Sequence, residues 1–131
     1  MIVETNNTTL IAISNNKNAT QRQKDAKLIR IAGNDILKSE QFKRVAGQKH
    51  HIRTTVGEHC MHVARAMLVL NRLFGNSNEI DIIRASLWHD VGIYDRKSFK
   101  NSREMAAAHP KRSLAIARKK DHLTEEQKDM I

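Results

Sequence analysis

The chain has 131 residues, of which 40% are hydrophobic, and this is enough for one domain with a buried core and too little for two. Only five glycines, one proline and an aromatic share of 4% are present, a composition that favours helices over a sheet. We therefore predict an all-α fold, a single compact bundle of about five to six helices.

The net charge of +9 is unevenly placed along the chain. Between residues 17 and 49 there are nine lysines and arginines against three acids. A field of this sign attracts phosphates, from those of small nucleotides to those of nucleic acid. The alternative is that these cations only solvate the outer faces of helices.

Cysteine content and hydropathy bear on the compartment. The single cysteine, Cys60, excludes an internal disulfide and suits a reducing environment. No apolar run approaches the ~20 residues of a membrane span, and the opening MIVET has an acid where a signal peptide carries Lys or Arg. We therefore expect a cytoplasmic protein with no membrane partner.

The first third of the chain divides into an arm and a helical segment. Residues 1–20 are rich in Asn and Thr and show no sustained period, so we predict a mobile N-terminal arm and place the helical domain at 21–131. Residues 21–46 have apolar positions at helical spacing, interrupted at Gly33-Asn34. This pattern predicts two helices, the second ending at Gly47.

Residues 55–74 and 78–91 predict a pair of neighbouring helices. Thr55 and Glu58 have the spacing of a capping box at the start of the first helix. Because only Gly75-Asn76-Ser77 separates the two, they should be antiparallel. Apolar residues at helical spacing predict the buried face of the first helix at Val56, Cys60, Val63, Met67 and Leu70, and that of the second at Ile80, Ile83, Leu87 and Val91.

Gly92 is predicted to stop the second helix of this pair, and the polar residues 94–103 to form a surface loop. Pro110 suits the first position of a helix, so we predict a helix over 111–120 with His109 as its N-cap.

One more helix is predicted at the end of the chain, where Thr124 and Gln127 have the spacing of a capping box. It reaches Ile131 without a C-cap signal. We therefore expect a truncated chain, a fragment of a longer one, or a chain completed by a partner. A homo-oligomer is a separate expectation.

Side chains that commonly bind metals fall at one level of the central helix pair. His59 lies 16 residues before the centre of the loop, and His89 and Asp90 lie about 14 after it. At ~1.5 Å rise per residue, their positions along the axes of the two helices differ by only a few Å. The two histidines can therefore face the same space between the helices, with Asp90 at its edge. Such a set suits Mn, Fe, Co, Ni, Zn or Mg. The alternative is a core histidine and a helix-terminal Asp that happen to lie level.

The motifs around these residues resemble those of a known family. The chain reads HHIRTTVGEHC over 50–60, LWHDVG over 87–92 and AHPKRS over 108–113. This order is similar to the pattern HHGNTTVxEHS, LLHD and HPxRA of small bacterial hydrolases in the HD-domain superfamily of metal-dependent phosphohydrolases. The resemblance covers about residues 48–131.

The resemblance implies an all-helical HD-type fold with a divalent ion held by His59, His89, Asp90 and a final Asp on a later helix. It also implies that His109 faces the same pocket, as a ligand to a second ion or as a phosphate contact. We expect the C-terminal part of the family fold to be missing from this chain, since its downstream acids do not match the final Asp: Asp121, Glu125, Glu126 and Asp129.

The resemblance and the charge together predict a divalent-metal-dependent phosphohydrolase that uses metal-activated water on a small nucleotide or other phosphate ester. Asp90 is predicted to anchor the water as well as the ion, with Arg53 and His109 as further catalytic residues. His50 and His51, beside Arg53, are further candidate phosphate contacts.

The alternative function is a catalytically impaired HD module, or a fragment of one, whose basic helices bind nucleic acid or an acidic partner. Under both functions His62 and His122 are predicted to be ordinary surface residues.

Overall fold

The computed structural model describes residues 19–51, 53–94 and 96–131, so the predicted N-terminal arm lies almost wholly outside the described residues. Helices joined by short turns make up the described part, with one small antiparallel ribbon. The predicted all-α fold is thereby confirmed. The helices are α1 (Gln21–Ala32), α2 (Asn34–Lys38), α3 (Glu40–Ala46), α4 (Val56–Phe74), α5 (Glu79–Trp88), α6 (Ser102–Lys120) and α7 (Glu125–Met130); the ribbon is β1 (Lys49–His51) and β2 (Thr54–Thr55), and 3₁₀ turns cover Val91–Ile93 and Arg96–Ser98.

The described residues contain one helix more than the upper end of the predicted range, because Ser39 divides the second predicted helix into α2 and α3. Ser39 has an extended backbone (φ −68°, ψ 149°), and its hydroxyl accepts a hydrogen bond from the backbone N–H of Phe42 at 3.2 Å. A serine in this conformation is a strong N-cap. The predicted break at Gly33 and the predicted stop at Gly47 both occur.

Helix α4 lies at the centre of the core, in contact with α1, α3 and α5. The predicted buried face was wrong after its first two positions, since Val63 and Met67 are only half-buried and Leu70 is 49% exposed. A helix with neighbours on several sides buries a row that turns slowly around its axis rather than one straight stripe. The buried residues follow steps of four: Val56, Cys60, Ala64 and Leu68.

The loop between α4 and α5 is closed by paired side-chain bonds. The Asn71 amide donates to the carbonyl of Ser77 at 2.9 Å, and its oxygen accepts from the Ser77 N–H at 2.9 Å. Asn78 then caps α5 by accepting from two backbone N–H groups, those of Ile80 and Asp81. This tight connection fixes the register in which the start of α4 meets the end of α5.

Helix α6 corrects two predictions. It begins at Ser102, capped by Asn101, and runs through Pro110, so Pro110 is not its first residue and His109 is not its N-cap. The physical reason is the sequence before the proline, which is made of strong helix formers including three consecutive alanines. A capped helix of that composition continues through a proline at the cost of one backbone hydrogen bond.

Gly92 holds the turn after α5 directly against α6. A Cβ added at Gly92 would lie 2.4 Å from the carbonyl oxygen of His109 and 2.6 Å from the backbone nitrogen of Ser113. The Gly92 N–H donates to the Ser113 hydroxyl at 2.8 Å. Only glycine permits this approach, and it sets the distance between Asp90 and His109.

A buried arginine links the ends of several helices. Arg84 on α5 is 6% exposed, and its guanidinium donates to both carboxylate oxygens of Asp35, to Asp121 and to the carbonyl of Ala32. Asp121 also accepts from the Trp88 indole at 3.2 Å. Asp121 thus serves the core, which explains why it does not occupy the place of a metal ligand.

Candidate metal centre

Three elements place their polar residues at one point of the core. His59 lies in the first turn of α4, His89 and Asp90 follow the last residue of α5, and His109 lies halfway along α6. The antiparallel packing of α4 and α5 brings His59 to the level of His89, as the loop length predicts. The contact at Gly92 brings His109 to the same level from the other side.

The carboxylate of Asp90 is the centre of the cluster. Its Oδ2 lies 3.4 Å from Nε2 of His59 and 3.2 Å from Nε2 of His89, and its Oδ1 lies 3.2 Å from Nε2 of His109. The Asp90 side chain is 5% exposed, whereas the three imidazoles are 19–28% exposed. The cluster is therefore a buried carboxylate beneath three rings that solvent can still reach.

The spacing of the ligand atoms fits a divalent ion. Ligand atoms bound ~2.0–2.2 Å from one tetrahedral ion lie ~3.3–3.6 Å apart, close to the distances that Asp90 makes with His59 and His89. Among the described residues these three form a group whose ligand atoms all lie within 4.8 Å of one another. His109 lies outside this group and approaches the other carboxylate oxygen, Oδ1 of Asp90, at 3.2 Å.

Hydrogen bonds to the backbone orient two of the imidazoles. Nδ1 of His109 lies 2.9 Å from the carbonyl oxygen of Met105, and Nδ1 of His89 contacts the carbonyl oxygen of Ser86. A carbonyl only accepts hydrogen bonds, so in both rings Nδ1 carries the proton. In the neutral ring Nε2 then holds the lone pair, and it faces Asp90. This is the arrangement by which proteins commonly fix metal-binding histidines.

The electrostatics of the cluster favour the charged pair of Asp90 and His89. Burial would lower the pKa of His89, but its hydrogen bond to Asp90, with a further contribution from Cys60, raises that pKa to about 10. Burial would raise the pKa of Asp90, yet the three histidines, His89 above all, lower it. A divalent ion bound to Nε2 of His89 would have to displace this proton, so that its binding would depend on pH.

Cys60 lies beside His89 and is fully buried. Desolvation raises the pKa of its thiol, so the group stays neutral at physiological pH and is a poor nucleophile. This fits a small core residue next to the cluster.

The remaining predicted site residues do not join the cluster. Arg53 is exposed in the turn between β1 and β2, and within the described contacts its guanidinium is not bonded to the clustered side chains. The side chains of His50 and His51 lie outside what the structure describes. His62 and His122 are exposed, as predicted.

Comparison of the chain with protein-family models, curated proteins and solved structures finds no match. Over the described ranges, no helix combines the length and apolar character needed to cross a membrane.

Proposed function

We propose that the protein is a divalent-metal-dependent phosphohydrolase that acts on a small nucleotide or another phosphate ester. The observation that carries the proposal is the position of three Nε2 atoms around the single carboxylate of Asp90. Backbone carbonyls bind Nδ1 of two of those rings, so Nε2 is left as the atom that can bind a metal once it carries no proton. The resemblance of the surrounding motifs to the HD-domain superfamily supports the same function.

The two oxygens of Asp90 face different histidines, and we propose a different role for each oxygen. His59, His89 and Asp90 would hold the divalent ion, which would supply a Lewis acid and lower the pKa of a bound water toward ~7. Oδ1 faces Nε2 of His109, so this pair could orient the attacking water and accept its proton. Arg53 stays a proposed phosphate contact.

The metal-binding part of this proposal is tested with a matched pair of variants on α4. We expect His59→Ala to lose stoichiometric Mn or Zn, measured by elemental analysis after chelation and reloading. His62→Ala removes an exposed imidazole less than one turn away and should keep the ion. Equal metal content in the two variants would contradict the site.

The catalytic part is tested by phosphate release from a generic ester with Mn added. Turnover should appear with the ion, stop with chelator and be absent from His59→Ala. A metal-loaded wild type that releases phosphate from no ester would contradict the proposed hydrolase activity but not the proposed metal site.

A second candidate function has an observation of its own. A groove of about 250 Å³ lies between α1 and α4, and its basic lining suits a polyanion such as nucleic acid. Affinity for single-stranded DNA should then fall steeply with salt, and Arg65→Gln should reduce both the affinity and the salt slope. Salt-independent binding, or none, would remove this candidate. The groove is lined by Arg22, Ala26, Ile29, Arg30, Met61, His62 and Arg65.

For location and assembly, we propose the cytoplasm, because the single buried thiol suits a reducing compartment. A homo-oligomer stays a prediction that light scattering can test.

A further inference from the structure

A stack of cationic and aromatic side chains lies beside the histidine cluster, which is Asp90 with its three imidazoles. The proposed hydrolysis does not yet use this stack. The guanidinium of Arg44 lies 4.2 Å from the ring centre of Tyr94. The guanidinium of Arg112 lies 4.4 Å from the same ring and 4.5 Å from the ring of Phe99. Two arginines from α3 and α6 are thus held against one tyrosine.

Short stretches of backbone connect the stack to the histidine cluster. Arg112 follows His109 by three residues on α6, and residues at this spacing share one side of a helix with Cβ atoms ~5–6 Å apart. Tyr94 follows Asp90 by four residues through the 3₁₀ turn that Gly92 holds against α6. The elements that position two of the candidate metal ligands therefore also position the stack.

Hydrogen bonds hold the parts of the stack in place. The Gln48 side chain donates to the carbonyl of Tyr94 at 3.1 Å and to the carbonyl of Arg44 at 3.3 Å. Arg112 donates to the Ser98 hydroxyl at 3.0 Å. Gln48 therefore ties the backbones of Arg44 and Tyr94 together, and the Arg112 guanidinium is held by Ser98 and by the two rings.

The arrangement concentrates positive charge. Within the described residues no carboxylate forms an ion pair with Arg44 or Arg112, although Arg72 and Arg84 each bind two. Two like charges against one ring repel each other, and the ring offsets only part of this repulsion. Stacking occupies the flat faces of a guanidinium and leaves its N–H edges, which match the oxygens of a phosphate.

We propose that Arg44 and Arg112, held against Tyr94 and Phe99, form an anion subsite that binds a phosphate group of the substrate next to the histidine cluster. The inference rests on the proposed phosphohydrolase for the identity of the substrate, but the anion binding itself needs no metal. The ligand class is a phosphate or diphosphate group.

The test is a titration of chelator-treated protein with inorganic pyrophosphate, followed by NMR of the arginine Nε–H and backbone signals. We expect shifts centred on Arg44, Tyr94 and Arg112. Arg112→Gln and Arg44→Gln should each weaken pyrophosphate binding about tenfold or more, the size of a lost charge-assisted hydrogen bond. Arg118→Gln, which removes the same charge from an exposed position of α6, should change it less than about twofold.

A conservative variant separates anion binding from a purely structural role. Arg112→Lys keeps the charge but loses the planar fork and the stacking, so its affinity should lie between those of the wild type and Arg112→Gln. Thermal unfolding records whether each variant is folded, and Arg44→Gln, at an exposed side chain, supplies the result if Arg112→Gln does not fold. Unchanged pyrophosphate affinity in folded Arg44→Gln would overturn the subsite.

A second measurement distinguishes failure of the subsite from failure of the proposed function. In metal-loaded protein, Arg112→Gln should raise KM for a phosphate ester about tenfold with metal content unchanged. Metal-dependent turnover with neither KM nor pyrophosphate affinity altered would reject the subsite and keep the hydrolase. Arginine-dependent pyrophosphate binding without any metal-dependent turnover would reject the hydrolase and keep the subsite.

Discussion

Two buried polar clusters of this protein differ in how their charges are satisfied. In the first, Arg84 donates to Asp35, Asp121 and a backbone carbonyl, so that every nitrogen of its guanidinium has a partner. In the second, one carboxylate faces the Nε2 atoms of three histidines, which must share protons or an ion to balance it. A cluster in which every charged group has a protein partner stabilises the fold. A cluster that needs protons or an ion to balance its charge is suited to binding and chemistry.

Substitution at the centre of the histidine cluster should have the largest effect. Asp90→Asn removes the charge that the three imidazoles face, and we expect metal affinity to fall at least about 100-fold. Phosphate release from an ester should stop with it. The matched control is Asp129→Asn at an exposed position, and a comparable loss there would show that the effect is not local.

Substitution in the arginine cluster should lower the stability of the fold and leave metal binding unchanged. Arg84→Met leaves Asp35 and Asp121 without their buried partner, and the free energy of unfolding should fall by about 3–5 kcal/mol. Urea unfolding measures this loss. The metal bound per folded molecule should stay unchanged; loss of the ion without loss of stability would reverse the assignment of the two clusters.

The contact that joins α5 and α6 should affect both properties at once. Gly92→Ala places a Cβ against the backbone of His109 and Ser113, so we expect a loss of about 1–3 kcal/mol of stability and weaker metal binding because the turn that carries Asp90 is displaced. Thermal unfolding and metal titration are the measurements. A variant with wild-type values in both would show that the close approach is not required.

The smallest effect is the pH dependence of metal binding. Since the pKa of His89 is raised to about 10, its proton competes with the ion throughout the physiological range. Metal affinity should therefore rise with pH, by up to about tenfold per unit, and binding should release protons. Calorimetry in buffers of different ionisation enthalpy measures that release, and affinity independent of pH between 6 and 8, about the neutral range, would contradict it.

Local patterns explain which features the sequence predicted. The approach of His59 to His89 follows from two helical periods and a short loop, all within a continuous stretch. The predicted capping box at Thr124 and Gln127 is present, and the predicted cap at Thr55 accepts from the N–H of Glu58. Such features depend on neighbours in the chain, which sequence patterns describe well.

Features that depend on distant residues were missed. Arg84 pairs with Asp35 and Asp121, which are 49 and 37 residues away, and no local pattern indicates such pairs. At Pro110 the cause is local: a proline favours a helix start, but the helix formers before it outweigh that preference and the helix begins at Ser102. The bond between His109 and the carbonyl of Met105 forms only because both residues lie on this longer helix, one turn apart.

The central claim is that His59, His89 and Asp90 hold one divalent ion. X-ray absorption spectroscopy of the Zn-loaded chain tests it most directly, since it reports the number and type of ligands. We expect one ion per chain with at least two imidazole nitrogens at about 2.0–2.1 Å and oxygen in the remaining positions. A spectrum with oxygen ligands alone, or less than stoichiometric binding at neutral pH, would contradict it.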